Sequence, residues 1–162
     1  MEKSRLNGKR VLIVDDEVDV LEVLSQSLPM CDVKTASSFD EARKLLEKEK
    51  FDVAVLDIMG VNGYKLLEIA NEKKLLAVML TAHALTPDNI VKSFKGGAAS
   101  YLPKEQLAKI AEFLDEVLEA KEQGKRLGTR WLERWGSYYD KKFGLDWQKE
   151  DKEFWEKFSY WY

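Results

Sequence analysis

The stretch VLIVDDE, residues 11–17, runs four consecutive apolar residues straight into the acidic pair Asp15-Asp16. A strand that is apolar at every position, rather than at alternate ones, is covered on both faces, as in parallel sheets flanked by helices. Outward from it the same pattern recurs. VAVL at 53–56 runs into Asp57, AVML at 77–80 runs into Thr81, and Lys104 lies just past a shorter run at 100–102. Helical patterns separate these runs, so the chain reads as βα units wound into a parallel sheet with right-handed crossovers. Five units fit before residue 122, with strands expected at 10–14, 32–35, 52–56, 77–80 and 100–102. Ser38 with Glu41 makes a capping box, and Thr86-Pro87-Asp88 supplies an N-cap, a first-turn proline and an acid. Gly96-Gly97 ends that helix. Leu107, Ile110, Ala111, Leu114, Val117 and Leu118 mark the buried face of a fifth helix.

Composition excludes several classes of function. The 162 residues are 45% hydrophobic, enough for a sizeable core. A single cysteine, Cys31, and a single histidine, His83, cannot form a thiolate zinc site, a disulfide or a Cys-His nucleophilic pair. A net charge of −3 gives no footprint for nucleic acid, and no apolar run approaches a membrane span. Without a charged-then-apolar segment at the start, the expected location is cytoplasmic.

Ligands of open α/β sheets bind at the carboxyl ends of the strands, where Asp15, Asp16, Asp57, Thr81 and Lys104 would converge. Clustered carboxylates repel one another, and a hard divalent cation, Mg²⁺ most naturally, accounts for such a cluster. Asp57 could then act as a nucleophile toward a phosphoryl group. The Thr81 hydroxyl and the Lys104 ammonium would hold the remaining phosphoryl oxygens. Singly, each residue has a plainer reading: a helix cap, a turn, a strand end, a solvated lysine. Their joint placement at the same end of successive strands favours the chemical one.

Residues from about 8 to 121 resemble the receiver domain of two-component response regulators. The motifs that carry the resemblance are VLIVDDE at 11–17, VAVLDIM at 53–59, MLTAHA at 79–84 and FKGGAASYLPK at 94–104. The resemblance implies a flavodoxin-like (βα)5 doubly wound sheet with strand order 2-1-3-4-5. It also implies an aspartate, Asp57, that accepts a phosphoryl group from a sensor histidine kinase, a phosphotransfer protein or a small phosphodonor. By position, Asp15, Asp16, Asp57 and the backbone carbonyl of Met59 match the Mg²⁺ ligands. Thr81 and Tyr101 match the family's switch pair, and Lys104 matches the lysine that pairs with the phosphate. Met59 and His83 fall where the family flanks the hydrolytic water, and His83 is read as a modulator that shapes access.

Two departures touch the site. The loop after Asp57 reaches its glycine two residues early, and Gly60 is expected to turn it tightly enough to keep the Met59 carbonyl in place. Lys104 is followed by Glu105 rather than proline, so a trans peptide is expected there.

The receiver is assigned to 1–121, and an aromatic extension to 122–162. All five tryptophans lie in the extension, at 131, 135, 147, 155 and 161. Two amphipathic helices are expected, one capped at Thr129 and stopped by Gly144, the other capped at Asp146. Nine basic and eight acidic residues in 122–162 cancel, which argues against DNA binding. The aromatic faces either pack on the receiver as added core, or form a homodimer or partner surface through 129–162, or meet a membrane surface. Because the extension follows the fifth helix directly, and in this family the face of the fourth and fifth helices senses the switch, its packing or partner is expected to change when Asp57 is charged.

The reading is a single-domain response regulator acting through protein contact, a phosphoacceptor with slow self-dephosphorylation rather than an enzyme. The alternative is a phosphorylation-independent pseudo-receiver scaffold assembling through the aromatic tail. A magnesium phosphatase of the aspartyl-phosphate kind is disfavoured, because Met59 stands where its acid/base aspartate would be.

Overall fold

The computed structural model describes residues 5–82 and 86–162. Five strands, β1 (Arg10–Val14), β2 (Asp32–Ala36), β3 (Val53–Asp57), β4 (Leu76–Thr81) and β5 (Ser100–Pro103), form one parallel sheet in the order β2-β1-β3-β4-β5. The five expected strands are all present, shifted by a residue or so at their ends. β1 and β3 to β5 are almost wholly buried, as their unbroken apolar runs require. The edge strand β2 is mostly exposed, and its sequence, Asp-Val-Lys-Thr-Ala, is correspondingly polar.

Helices α1 (Val18–Gln26), α2 (Phe39–Lys48), α3 (Gly63–Glu72), α4 (Pro87–Lys95) and α5 (Ile110–Glu122) cover the two faces. The caps read from sequence are formed. Ser38 accepts a hydrogen bond from the Glu41 backbone N–H, and Thr86 accepts one from that of Asn89. Gly97, at φ +93, ends α4 in the left-handed region. The fifth helix starts later than its apolar pattern suggests. A 3₁₀ segment spans Lys104–Lys109, with non-helical dihedrals at Gln106, so Leu107 falls in this segment ahead of the regular helix that begins at Ile110.

The extension forms α6 (Leu127–Phe143) and α7 (Lys152–Trp161). Both starts differ from expectation. Helix α6 begins two residues before Thr129, because the Thr129 backbone N–H bonds to the Tyr162 carbonyl at 3.0 Å instead of to a local side-chain cap. Gly144, at φ +92, stops it as expected. Helix α7 is capped not by Asp146 but by Asp151, which accepts from the Phe154 N–H. Trp147 therefore sits in the connecting turn, with its indole N–H donating to Asp140 Oδ1 at 2.9 Å.

Of the alternatives open for the aromatic stripe, packing on the receiver is the one observed. Trp135 stacks on Phe113 of α5 (centroids 4.3 Å, planes 15° apart), and Phe94 of α4 meets Trp131 at 4.9 Å and Phe158 at 5.4 Å. Trp131, Trp135, Tyr139, Trp147, Phe154 and Phe158 are buried with the receiver core, while Leu145, Tyr160 and Trp161 stay exposed. Salt bridges from Arg134 to Glu112 and Glu116, and from Lys142 to Glu105, rim the contact. Being largely exposed, these fix register more than they stabilise. Among the described residues, no helix is long and apolar enough to cross a membrane.

Trp135→Ala should cost about 3–5 kcal/mol, the usual range for truncating a buried aromatic. Trp161→Ala, at a ring that is 75% exposed, should cost under about 0.5 kcal/mol. Urea unfolding of the full chain measures both, and equal costs would contradict the packing described.

Candidate functional site

Register brings the polar residues together. Val14 of β1 pairs with Leu56 of β3, so Asp15 and Asp57, the next residues, emerge side by side. Asp57 pairs with Leu80 of β4, and Thr81 pairs with Pro103 of β5, which places Lys104 one residue further along the same edge. Strand order reverses at β1, between β2 and β3, so this edge lies at the switch point where open α/β sheets bind ligands.

The side chains meet around one ammonium. Lys104 Nζ lies 2.8 Å from Asp15 Oδ2, 2.9 Å from Glu17 Oε1 and 3.5 Å from Asp57 Oδ1. Asp15, Asp57 and Thr81 are buried, and the Lys104 side chain is 11% exposed. The Glu17 backbone N–H donates to Asp15 Oδ1 at 2.8 Å, fixing that carboxylate. Pro103 and Lys104 are joined to their neighbours by trans peptides, as no cis bond occurs among the described residues.

Burial pushes the Asp57 carboxyl up to about 7, and the neighbouring Asp15 charge adds to this against the opposing pull of Lys104. Burial raises Asp15 as well, with Lys104 again opposing. Burial works to lower Lys104, but hydrogen bonds to Asp15 and Glu17 and the charge of Asp57 more than reverse it. Lys104 is thus firmly cationic, yet three carboxylates share its single positive charge, and the charge of Asp16 also bears on Asp57.

That imbalance fits a divalent cation. Carboxylate oxygens of Asp15, Asp16 and Glu17 lie within 4.8 Å of one another, and Asp57 stands beside them. An all-oxygen, strongly anionic donor set of this kind suits Mg²⁺. The shortened loop is compatible with it. Gly60 adopts φ +86, and a Cβ there would lie 2.6 Å from Asp16 Oδ2, so only glycine lets the Asp16 carboxylate rest against the loop. Met59, just before it, is exposed. The position of His83 lies outside the described residues.

Tyr101 is wholly buried on β5, where the Thr81 hydroxyl hydrogen-bonds its phenol. Burial holds that phenol well above its usual range. Sequence reasoning passed over two partners of the site. Glu17 was visible as a third acid in the run 15–17, but its tie to Lys104 spans 87 positions. Trp131, whose indole N–H donates to the Tyr101 carbonyl at 2.8 Å, carried no local signal of that role.

The profile of the response regulator receiver domain matches residues 11–115, and the chain belongs to that family. Receiver domains accept phosphoryl groups in two-component signalling, from histidine kinases or phosphotransfer proteins, and are phosphoacceptors rather than classical enzymes. Among relatives, the two-component response regulator ARR10 of Arabidopsis thaliana is 38% identical over 104 residues, covering 60% of this chain and 19% of that protein. The heme response regulator HssR of Staphylococcus aureus (strain Newman) is 35% identical over 98 residues, covering 57% and 43%. The chain thus spans less than half the length of these relatives. Among solved structures, a CheY-like receiver domain protein from Methanospirillum hungatei JF-1 is 31% identical with a TM-score of 0.59, covering 70% of this chain and 98% of that one. A response regulator from Burkholderia pseudomallei with a phosphorylated aspartic acid, calcium ion and citrate is 27% identical with a TM-score of 0.57, covering 70% and 72%.

Because Asp57 binds its proton more tightly folded than unfolded, metal-free protein should lose stability as pH rises from about 4 to about 7. Asp57→Asn should escape that loss and exceed the wild type by about 2–4 kcal/mol at pH 8, with the gap closing toward pH 4. Urea unfolding across this range, without divalent cation, checks it. A pH-independent gap would mean that Asp57 titrates as an ordinary carboxylate.

Proposed function

We propose that this chain is a response regulator in which Asp57 is the phosphoacceptor, with residues 1–121 as the receiver and 122–162 as an extension of it. The observation that carries the reading is the convergence of Asp15, Asp57 and Glu17 on the Lys104 ammonium at one sheet edge. The Burkholderia relative, with its phosphorylated aspartic acid and bound calcium, supports assigning the same chemistry to this site.

In the proposed reaction, ionised Asp57 attacks the phosphorus of a phosphohistidine or a small acyl phosphate. A bond forms from Asp57 Oδ to phosphorus as the bond from phosphorus to the leaving group breaks, and the donor departs with that electron pair. Asp15, Asp16, Asp57 and the Met59 carbonyl would hold Mg²⁺, which when bound supplies positive charge to the phosphoryl oxygens. Lys104, already poised between Asp15 and Asp57, needs only to change partners to neutralise the incoming phosphoryl group. Thr81 donates its hydroxyl to another phosphoryl oxygen. By their positions in the sequence, two residues beyond Asp57 and Thr81, Met59 and His83 are assigned as modulators of how slowly the acyl phosphate is lost. The proposed partners are a histidine kinase or phosphotransfer protein upstream, with protein contact as the output.

Intact mass after incubation with Mg²⁺ and acetyl phosphate tests this. The expected result is a gain of one phosphoryl group that requires Mg²⁺ and is absent in Asp57→Asn. No gain in folded protein, with a histidine kinase also tried, would favour a phosphorylation-independent scaffold. In calorimetric titration, Gly60→Ala should weaken Mg²⁺ binding by about tenfold. The new methyl displaces Asp16 and strains a left-handed residue by roughly 1–2 kcal/mol.

A further inference from the structure

We propose that Trp131, in the extension, is a positioning residue for the phosphorylation site, acting through Tyr101 and Thr81. The inference rests on the reading of Asp57 as phosphoacceptor and adds to it a role for the tail.

β5 is the edge of the sheet, so carbonyls on its outer side have no strand partner. Trp131 meets one of them, with its indole N–H donating to the Tyr101 carbonyl at 2.8 Å. The same residue walls in the Tyr101 side chain, its ring edge-on at 6.4 Å and Tyr139 adding a second wall at 6.3 Å. Trp131 is itself held by Phe94 of α4 at 4.9 Å and by Tyr139 at 5.2 Å. Backbone and ring of Tyr101 are therefore both fixed from the tail, and its 0% exposure leaves no open route outward.

That confinement reaches the site through one hydrogen bond. The Tyr101 phenol and the Thr81 hydroxyl are hydrogen-bonded to each other, so holding Tyr101 holds the Thr81 side chain. Thr81 ends β4 one residue beyond Leu80, the register partner of Asp57, which sets its hydroxyl at the same sheet edge. A hydroxyl already held in place costs less reorganisation when a phosphoryl group arrives. Loosening Trp131 frees Tyr101, and Thr81 loses the partner that orients it. Occupancy of the site should in turn tighten the docking of α6, since coupling between two sites is reciprocal.

The test uses the full chain, Mg²⁺ and acetyl phosphate, and follows the phosphorylated fraction and its decay by intact mass. Trp131→Phe keeps an aromatic ring and removes the N–H. It should lower the steady-state phosphorylated fraction relative to unphosphorylated protein about fivefold, the factor expected for one ordinary hydrogen bond. Tyr101→Phe should do the same, the double variant should lose no more than either single one, and Trp161→Phe should match the wild type. Wild-type yield in Trp131→Phe, or additive losses in the double variant, would overturn the inference while leaving Asp57 as phosphoacceptor. No phosphoryl gain in the wild type overturns both. Should Trp131→Phe not fold, hydrogen exchange of residues 127–143 in the wild type decides: slower exchange when phosphorylated is expected, and unchanged exchange refutes the coupling.

Discussion

One ammonium held among carboxylates at a sheet edge governs the chemistry of this molecule. A pair of opposite charges near 4 Å gains on the order of 4 kcal/mol at an effective dielectric near 20, while burying each ion costs several kcal/mol. Lys104 therefore cannot offset the burial of both Asp15 and Asp57. The shortfall appears at Asp57, the more distant partner at 3.5 Å, whose carboxyl is pushed up to about 7. The site is left short of positive charge, and the parallel register that aligns Asp15, Asp57, Thr81 and Lys104 makes that shortage unavoidable. A cation and a phosphoryl group together change the balance at these same four side chains, which links ligand chemistry to strand geometry.

The second organising feature is the aromatic layer beyond β5. Phe94, Phe113 and Tyr101 of the receiver are buried beneath Trp131, Trp135, Tyr139 and Phe158 of the extension, forming one continuous core. Large aromatic rings bring more apolar area per residue than aliphatic side chains, and their edge-to-face contacts add further stabilisation. The polar ends of these rings are used as well, with the Trp131 and Trp147 indoles bonding to the Tyr101 carbonyl and to Asp140.

The legible parts of the sequence were the local ones. Strands β1, β3 and β4 announce themselves through apolar runs, and the caps at Ser38 and Thr86 through residue type and spacing, because each depends on neighbours a few positions away. The candidate site was legible for a related reason: parallel strands of similar length deliver their last residues to a common edge. What escaped depends on distant partners. Helix α6 begins early because Thr129 bonds to Tyr162, and α7 begins late because Trp147 turns back to Asp140. The late start of α5 at Ile110 was hidden because Leu107 keeps the apolar spacing of a helix through a stretch that is 3₁₀. Glu17 was in plain view, but its link to Lys104 exists only once the sheet has formed.

The shared core also bears on modularity. Here a cut after α5 would bare the faces of Phe94 and Phe113 to water and leave the outer carbonyl of Tyr101 without its indole partner. The extension is therefore a structural dowry of this receiver. A graft onto another output module must carry residues through α7, and a foreign partner can reach the β5 edge only by competing with a ligand tethered to it at high effective concentration.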